Sequence, residues 1–569
     1  MRKIIKREPA VDPAACIRVA SEISATGVTP VLARVLATRG VTSADEAAGR
    51  YKLLHYRSMR NIGDAAKLLA TCIRNHDPIT VCGDFDTDGC TASTIAVRGL
   101  RALGADVDFI VPNRFKHGYG LTPSLVDVVH DCRPQTRLIV TVDNGIASVE
   151  GVDHAKTLGI EVLVTDHHLP GDSLPNARAI VNPNQSGCDF QSKSLAGCGV
   201  MFYVLGATKD ALAAEGWDVS RLNMHALLDF VALGTVADVV RLDANNRWLV
   251  NHGIARIRRG QAHPGIASLF RVAGRNMALA SSRDLGFTCG PRINAAGRMQ
   301  DMSIGIRCML SDDAEEAMSL AAQLDEINRE RRDTQERNLD AALTQQDAAV
   351  TGAFTRVAFS DSFHEGVIGL VAAKIREETG APTVVFAESE NGQLKGSARS
   401  IPSVHMRDTL DAVHKRGHGL LERFGGHAMA SGLTLARDRL GTFSELFEAT
   451  VKESLAGKLP DLSLEIDGEL PTSAITPEVA REFLDVPWGQ GMEEPLWLGS
   501  FKVLEARPIG KESNHVKMRV TDGKNMWNAL HFFSNDLPVA GSELTMAYRI
   551  GYDEFRDTPR VSLVIEDRE

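Results

Sequence analysis

No two of the nine cysteines stand in a C-x-x-C spacing and their number is odd, which excludes a disulfide framework and a zinc ribbon. No uninterrupted apolar run approaches the ~18 residues of a membrane span. The basic start Met1-Arg2-Lys3-Ile4-Ile5-Lys6-Arg7 has no apolar segment after it and does not read as a signal peptide. A surplus of positive charge is missing too. The formal net charge of −10 counts against broad coating of duplex DNA, though not against a local basic groove. Glycine signatures for nucleotides are also wanting: after Gly197 and Gly199 the third position of G-x-G-x-x-G is Phe202, and five before Gly510-Lys511 stands Glu505. These absences leave a chain with no membrane segment, expected in a reducing, cytoplasmic setting.

Its 569 residues suggest about three or four domains, and 44% hydrophobic with 24% charged residues is a globular composition. The densest chemistry lies in Val81-Cys82-Gly83-Asp84-Phe85-Asp86-Thr87-Asp88-Gly89, where three carboxylates alternate after a short apolar run. Carboxylates this close either rise in pKa or hold a cation. An EF-hand begins the same way, but its twelfth position should be a bidentate Glu and here is Ile95. Across residues 79–165, β-branched runs (79–82, 107–111, 138–142, 162–165) alternate with amphipathic ones (91–103, 122–130, 148–158). Such alternation predicts βαβ units and a parallel sheet. Asp84, Asp86 and Asp88 then follow the first strand, Asp143 the third, and Asp166-His167-His168 the fourth. Ligands of open α/β sheets bind beyond the carboxyl ends of the strands, so the three clusters should converge. Carboxylates with an imidazole and no thiolate suit Mn²⁺ or Mg²⁺, and the surplus of ligands suits two ions. Taken singly, His167 and His168 also read as buried, hydrogen-bonded histidines.

Asp84-Phe85-Asp86-Thr87-Asp88-Gly89, Val142-Asp143-Asn144-Gly145 and Asp166-His167-His168 resemble the motifs of the DHH phosphoesterase superfamily. Pro112-Asn113-Arg114-Phe115-Lys116-His117-Gly118-Tyr119-Gly120-Leu121, Leu195-Ala196-Gly197-Cys198-Gly199-Val200, Gly234-Thr235-Val236-Ala237-Asp238-Val239 and Gly290-Pro291-Arg292-Ile293-Asn294-Ala295-Ala296-Gly297-Arg298 resemble its RecJ-type single-strand exonucleases. The resemblance implies Asp86, Asp88, Asp143, His167 and Asp238 as metal ligands, with Asp84, Asp166 and His168 in catalytic or supporting roles. It also implies a pocket for a 5′ phosphate, with Ser397, Arg399 and His427 from a second lobe and Arg114 and either Arg292 or Arg298 from the first as candidates. Arginine suits such a pocket because its fork pairs phosphate bidentately.

The expected organisation is an N-terminal helical segment (1–60), an α/β catalytic domain with a parallel sheet (61–310), and a long helix without proline or glycine (311–346). A smaller α/β substrate-binding domain of the DHHA1 type (347–440) and an OB-like β-barrel (455–569) follow. In the second lobe, Phe363-His364-Glu365-Gly366, Gly396-Ser397-Ala398-Arg399-Ser400 and Phe424-Gly425-Gly426-His427 read equally as anion-binding loops and as satisfied turns. The C-terminal aromatics Trp488, Trp497, Trp527, Phe532, Phe533, Tyr548 and Tyr552 offer base stacking, although most strand aromatics are core. The resemblance implies a 5′→3′ exonuclease on single-stranded DNA that releases 5′ mononucleotides with two Mn²⁺ or Mg²⁺ ions. It further implies a monomer working with a single-strand-binding protein, a helicase and mismatch-repair proteins. Two rival readings are a phosphodiesterase for cyclic dinucleotides or short oligonucleotides, disfavoured by the long C-terminal segment, and an inactive replication scaffold, disfavoured by the complete ligand set.

Overall fold

The computed structural model describes residues 2–113, 117–347, 353–389, 392–510, 514–555 and 558–569; Arg114 lies outside them. The chain forms two compact units, one of residues 1–325 and 464–569 and one of residues 326–463.

At the centre of the first unit is a parallel sheet. Its strands are β1 (Ile79–Gly83), β2 (Val107–Ile110), β3 (Leu138–Val142), β4 (Glu161–Thr165) and β5 (Ala179–Val181), in the order β2-β1-β3-β4-β5. β1 and β3 are buried along their whole length, as expected of apolar strands covered by helices on both faces. The crossover helices are α1 (Thr87–Ala102), α2 (Pro123–Cys132) and α3 (Val149–Thr157). From β1 the chain passes to β2 on one side and then to β3 on the other, so the loops after β1 and β3 flank the point where strand order reverses. The three-residue β5 was not anticipated, because it is too short to show an alternation.

Beyond the sheet the unit is helical, with α4 (Gly197–Ala214), α5 (Leu228–Ala237) and α6 (Gly290–Met299); a π-helical turn at Leu285–Cys289 precedes α6. The N-terminal region is not wholly helical as expected: Lys3–Lys6 is a strand in a two-stranded ribbon with Ser463–Ile466. Close by, Arg39 donates to Asp467 in a buried ion pair, 2.9 Å from Nη2 to Oδ2. α7 (Ala314–Asp347) is the long helix foreseen between the lobes; its 34 residues span about 51 Å at 1.5 Å each.

The second unit holds β6 (Arg356–Phe359), α8 (Ile368–Thr379), β7 (Thr383–Glu388), β8 (Gln393–Arg399), β9 (Arg423–Gly426) and β10 (Ala430–Ala436), with sheet order β9-β10-β8-β7-β6. Two clusters read as loops or turns lie on strands instead: Ser397 and Arg399 on β8, Phe424 and Gly425 on β9. The alternation on β8 is real, with Leu394, Gly396 and Ala398 inward, but glycine and serine hide it from a hydrophobicity reading.

The C-terminal strands β11 (Trp497–Ile509), β12 (His515–Thr521), β13 (Met526–His531), β14 (Glu543–Phe555) and β15 (Thr558–Arg568) close into a barrel in the order β11-β12-β13-β15-β14. β11 escaped the sequence reading: a bulge at Val503/Glu505 breaks its alternation and Pro508 lies within it. Trp497, Trp527 and Tyr548 are buried inside the barrel, which removes them as base-stacking candidates, whereas Phe532 and Phe533 are exposed.

Candidate metal centre

Each cluster occupies the position that its strand end dictates. After β1, Asp84 turns the chain and Asp86 caps α1, its carboxylate accepting from the Gly89 amide at 3.0 Å. Asp88, in the first turn of α1, is fully buried. Its Oδ2 accepts from the Gly197 amide at 2.6 Å and its Oδ1 from the Cys198 amide at 2.9 Å, so it fills the N-terminus of α4, which has no side-chain cap of its own. Only glycine serves at 197, since an added Cβ would come within 2.6 Å of the Asp143 Cβ. Asp143 itself sits just past β3 in a left-handed conformation (φ 61°), one that Asp tolerates better than most residues. Asp238 stands at the C-terminal end of α5.

His167 Nε2 lies 3.0 Å from Asp143 Oδ1, 3.5 Å from Asp238 Oδ2 and 3.9 Å from Asp88 Oδ2. Three sets of donor atoms fall within 4.8 Å of one another: Asp143 with His167 and His168, Asp88 with His167 and Asp238, and Asp84 with Asp86 and Asp143. Thus Asp84, Asp86, Asp88, Asp143, His167, His168 and Asp238 all come together. Burial, and then repulsion from Asp88 and the other carboxylates, pushes the Asp143 and Asp238 carboxyls well above the usual carboxylate range. Burial and Asp88 raise Asp86 as well, against the pull of the Gly89 amide. Burial holds His167 below the ordinary histidine value, which keeps its ring neutral and able to ligate. Asp143 Oδ1, His167 Nε2 and Asp238 Oδ2 are buried with no hydrogen-bond partner. Orphaned acceptors of this kind are what a divalent cation satisfies, so the residues fit Mn²⁺ or Mg²⁺.

Asp166 plays a different part. Its carboxylate accepts from the amides of Ile146 (2.9 Å), His167 (2.7 Å) and His168 (3.1 Å) and from His168 Nδ1 (2.7 Å). Burial alone would raise its pKa, but these donors, His168 first, hold it below the usual range. For His168, burial works downward and the contact with Asp166 outweighs it, raising the ring above the ordinary histidine value. The Tyr119 hydroxyl lies 3.2 Å from His168 Nε2.

The sequence reading gave no chemical role to several groups that hold this site. Asn294 Oδ1 accepts from the Thr87 amide and hydroxyl at 2.7 and 2.8 Å, pinning the carboxylate loop to α6. Gly297 lies against the Phe85 carbonyl where any side chain would collide. The spacing of Asn294 and Gly297 on one face of a helix was the available signal. That same helix corrects a phosphate candidate: Arg292 is buried and bound to Asp325 (Nε to Oδ1, 2.9 Å) and to the Thr288 carbonyl (2.7 Å), a structural ion pair. Arg298 is half-buried.

In the second unit, Arg399 contacts the Ser397 hydroxyl (3.0 Å) and the Ala398 carbonyl (2.9 Å). Burial, with Arg376 nearby, lowers its pKa. Its guanidinium and Ser397 Oγ lie beside Gly369 in the first turn of α8, where an added Cβ would come within 2.8 and 2.9 Å of them. A cation and a helix N-terminus thus meet around space only glycine leaves open. His427 is exposed at the end of β9, and its amide donates to the Ala430 carbonyl.

Three segments of the chain match known protein families. Residues 78–235 match the DHH family N-terminal domain, residues 350–453 the DHHA1 domain and residues 466–567 the RecJ OB domain. The chain is 42% identical to the single-stranded-DNA-specific exonuclease RecJ of Escherichia coli over 95% of both chains. Against the protein of that name from Haemophilus influenzae it is 38% identical over 100% of this chain and 99% of the other. The crystal structure of RecJ from Thermus thermophilus in complex with Mn²⁺ superposes with a TM-score of 0.81 at 29% identity, covering 100% of this chain and 79% of that one. The Mg²⁺ complex of the same protein gives a TM-score of 0.76, covering 100% and 78%.

Proposed function

The chain belongs to the RecJ family, and from that premise we propose that it is a metal-dependent exonuclease specific for single-stranded DNA, working from the 5′ end and releasing 5′ mononucleotides. One observation carries the reading: carboxylates and an imidazole from three strand ends and one helix end converge with unsatisfied donor atoms, the arrangement that phosphodiester hydrolysis with divalent ions requires. When bound, two Mn²⁺ or Mg²⁺ ions supply Lewis acidity and lower the pKa of water. The protein's share is to hold Asp86, Asp88, Asp143, His167 and Asp238 rigidly around them. Asp166 fixes the His168 ring through Nδ1, which orients its other nitrogen for substrate or water. Arg399 with Ser397, on the N-terminal turn of α8, supports a pocket for the 5′ phosphate that would select the strand end. Arg298, Arg114 and His427 remain candidates for the same anion, and the barrel for the trailing strand.

No helix among the described residues is long and apolar enough to cross a membrane. The reading extends to a cytoplasmic monomer whose partners are a single-strand-binding protein, a helicase and mismatch-repair proteins. The closed barrel weighs against a small-molecule phosphodiesterase, and the intact donor set against an inactive scaffold. The test is degradation of an end-labelled oligonucleotide with Mn²⁺, Mg²⁺ or EDTA, beside a duplex and a 5′-hydroxyl strand. Metal-dependent release of mononucleotides from the 5′-phosphorylated single strand is expected. Cleavage confined to dinucleotides or cyclic dinucleotides would replace this reading with the small-substrate one.

A further inference from the structure

Two unusual backbone features line one cleft. Val239, directly after Asp238, is a β-branched residue in the left-handed region (φ 60°) and is 64% exposed. Phe287 lies in the π-helical turn Leu285–Cys289, which packs against α5, and is 76% exposed. A π turn inserts one residue into a helix and re-aims what it carries, often at a functional site. Both side chains line a cleft of about 740 Å³ that is also lined by Trp488 and by Ile550 and Tyr552 of the barrel strand β14. Val236 and Val240 line it too, so the cleft adjoins the C-terminal end of α5, which carries Asp238.

Several of the charges that line the cleft face one another. Arg275 pairs with Asp284 at 3.8 Å, Arg283 with Glu494 at 3.8 Å, and Arg549 with Glu494 at 3.7 Å. What the cleft offers a ligand is therefore aromatic surface more than charge, which suits the flat faces of unpaired bases better than the phosphate backbone. We propose that Phe287 is a specificity-determining residue, a platform on which one unpaired base of the strand stacks. This rests on the nuclease reading above. A base-paired nucleotide does not present its face to the ring, so the platform would also favour single strands.

The experiment uses the full chain with Mn²⁺ and 5′-phosphorylated 20-nucleotide strands, each with one abasic residue moved stepwise from the 5′ end. Stacking of one base is worth on the order of tenfold in affinity. One abasic position should therefore raise KM about tenfold for the native protein. Phe287→Ala should raise KM on the intact strand by a similar factor with kcat little changed, and should be blind to that position; Phe287→Trp should restore both. The Phe287→Ala defect should persist at high salt, unlike a lost phosphate contact. An unchanged KM in Phe287→Ala, or an abasic effect that survives in it undiminished, overturns the proposal. Failure of the native protein to degrade any strand would instead overturn the nuclease reading. Because Phe287 is exposed, its replacement leaves the core intact, and circular dichroism of each variant verifies this.

Discussion

The two units each bury charge that their own residues do not neutralise, and they do so with opposite sign. In the first, carboxylates crowd around His167 until Asp86, Asp143 and Asp238 are driven up in pKa. In the second, Arg399 is half-buried with a hydroxyl and a carbonyl for partners, and burial drives its pKa down. Folding alone would favour neither arrangement, since a buried charge without a counter-charge is costly.

Removing charge from the first unit should have the largest effect. Asp143→Ala should lower kcat by at least about a thousandfold on every strand, since several kcal/mol of charge stabilisation go with the ions, and EDTA should do the same to the native protein. The matching change in the second unit is Arg399→Ala. It should raise KM for 5′-phosphorylated strands by about ten- to a hundredfold, the worth of a charge-assisted hydrogen bond, and leave 5′-hydroxyl strands unaffected. Equal losses on both substrates would break the comparison. Asp166→Asn tests the support of the site rather than its charge. It should cost about 10–100-fold in activity or metal affinity, because asparagine offers one acceptor oxygen and no charge to the four donors that hold Asp166 and, through it, the His168 ring.

The smallest effect is on stability. With the carboxyls of Asp86, Asp143 and Asp238 raised in the folded state and ordinary in the unfolded one, the folded state binds more protons, so stability falls as pH rises above the usual carboxylate range. The metal-free protein should therefore melt lower at pH 8 than at pH 5, by on the order of a few degrees. Saturating Mn²⁺ should abolish that slope. A flat profile without metal would mean that the carboxylates are better compensated than their crowding indicates.

Much of the first unit was legible because its chemistry is written in period: a fully buried strand, then an acid, repeated at β1, β3 and β4. Asp238 carried no such mark, since it ends a helix that reads as plain core, and only the motif resemblance pointed to it. Arg292 misled for the converse reason: in sequence it is an arginine in a glycine-rich helix, and only the fold brings Asp325 to it. In the second unit and the barrel, glycine and serine on β8 and a bulge on β11 hide the alternation on which strand prediction depends. Trp497, Trp527 and Tyr548 could not be told from surface aromatics without knowing which face of each strand turns inward.

The N-terminus of α4 has a further consequence. A glycine-rich turn leading into a helix is the usual reception for a nucleotide's phosphate, and here Asp88 of the same chain has taken that seat. The carboxylate acts as a resident mimic of the ligand. It makes the turn useless for nucleotide capture and turns the helix dipole to another end, stiffening a negative charge that must face a cation. An isosteric Asp88→Asn would loosen the helix as well as the centre, so this position can never serve as a silent control. Asp143→Asn separates the two effects: it removes a charge from the centre, while asparagine accepts the same left-handed backbone and the helix end stays occupied.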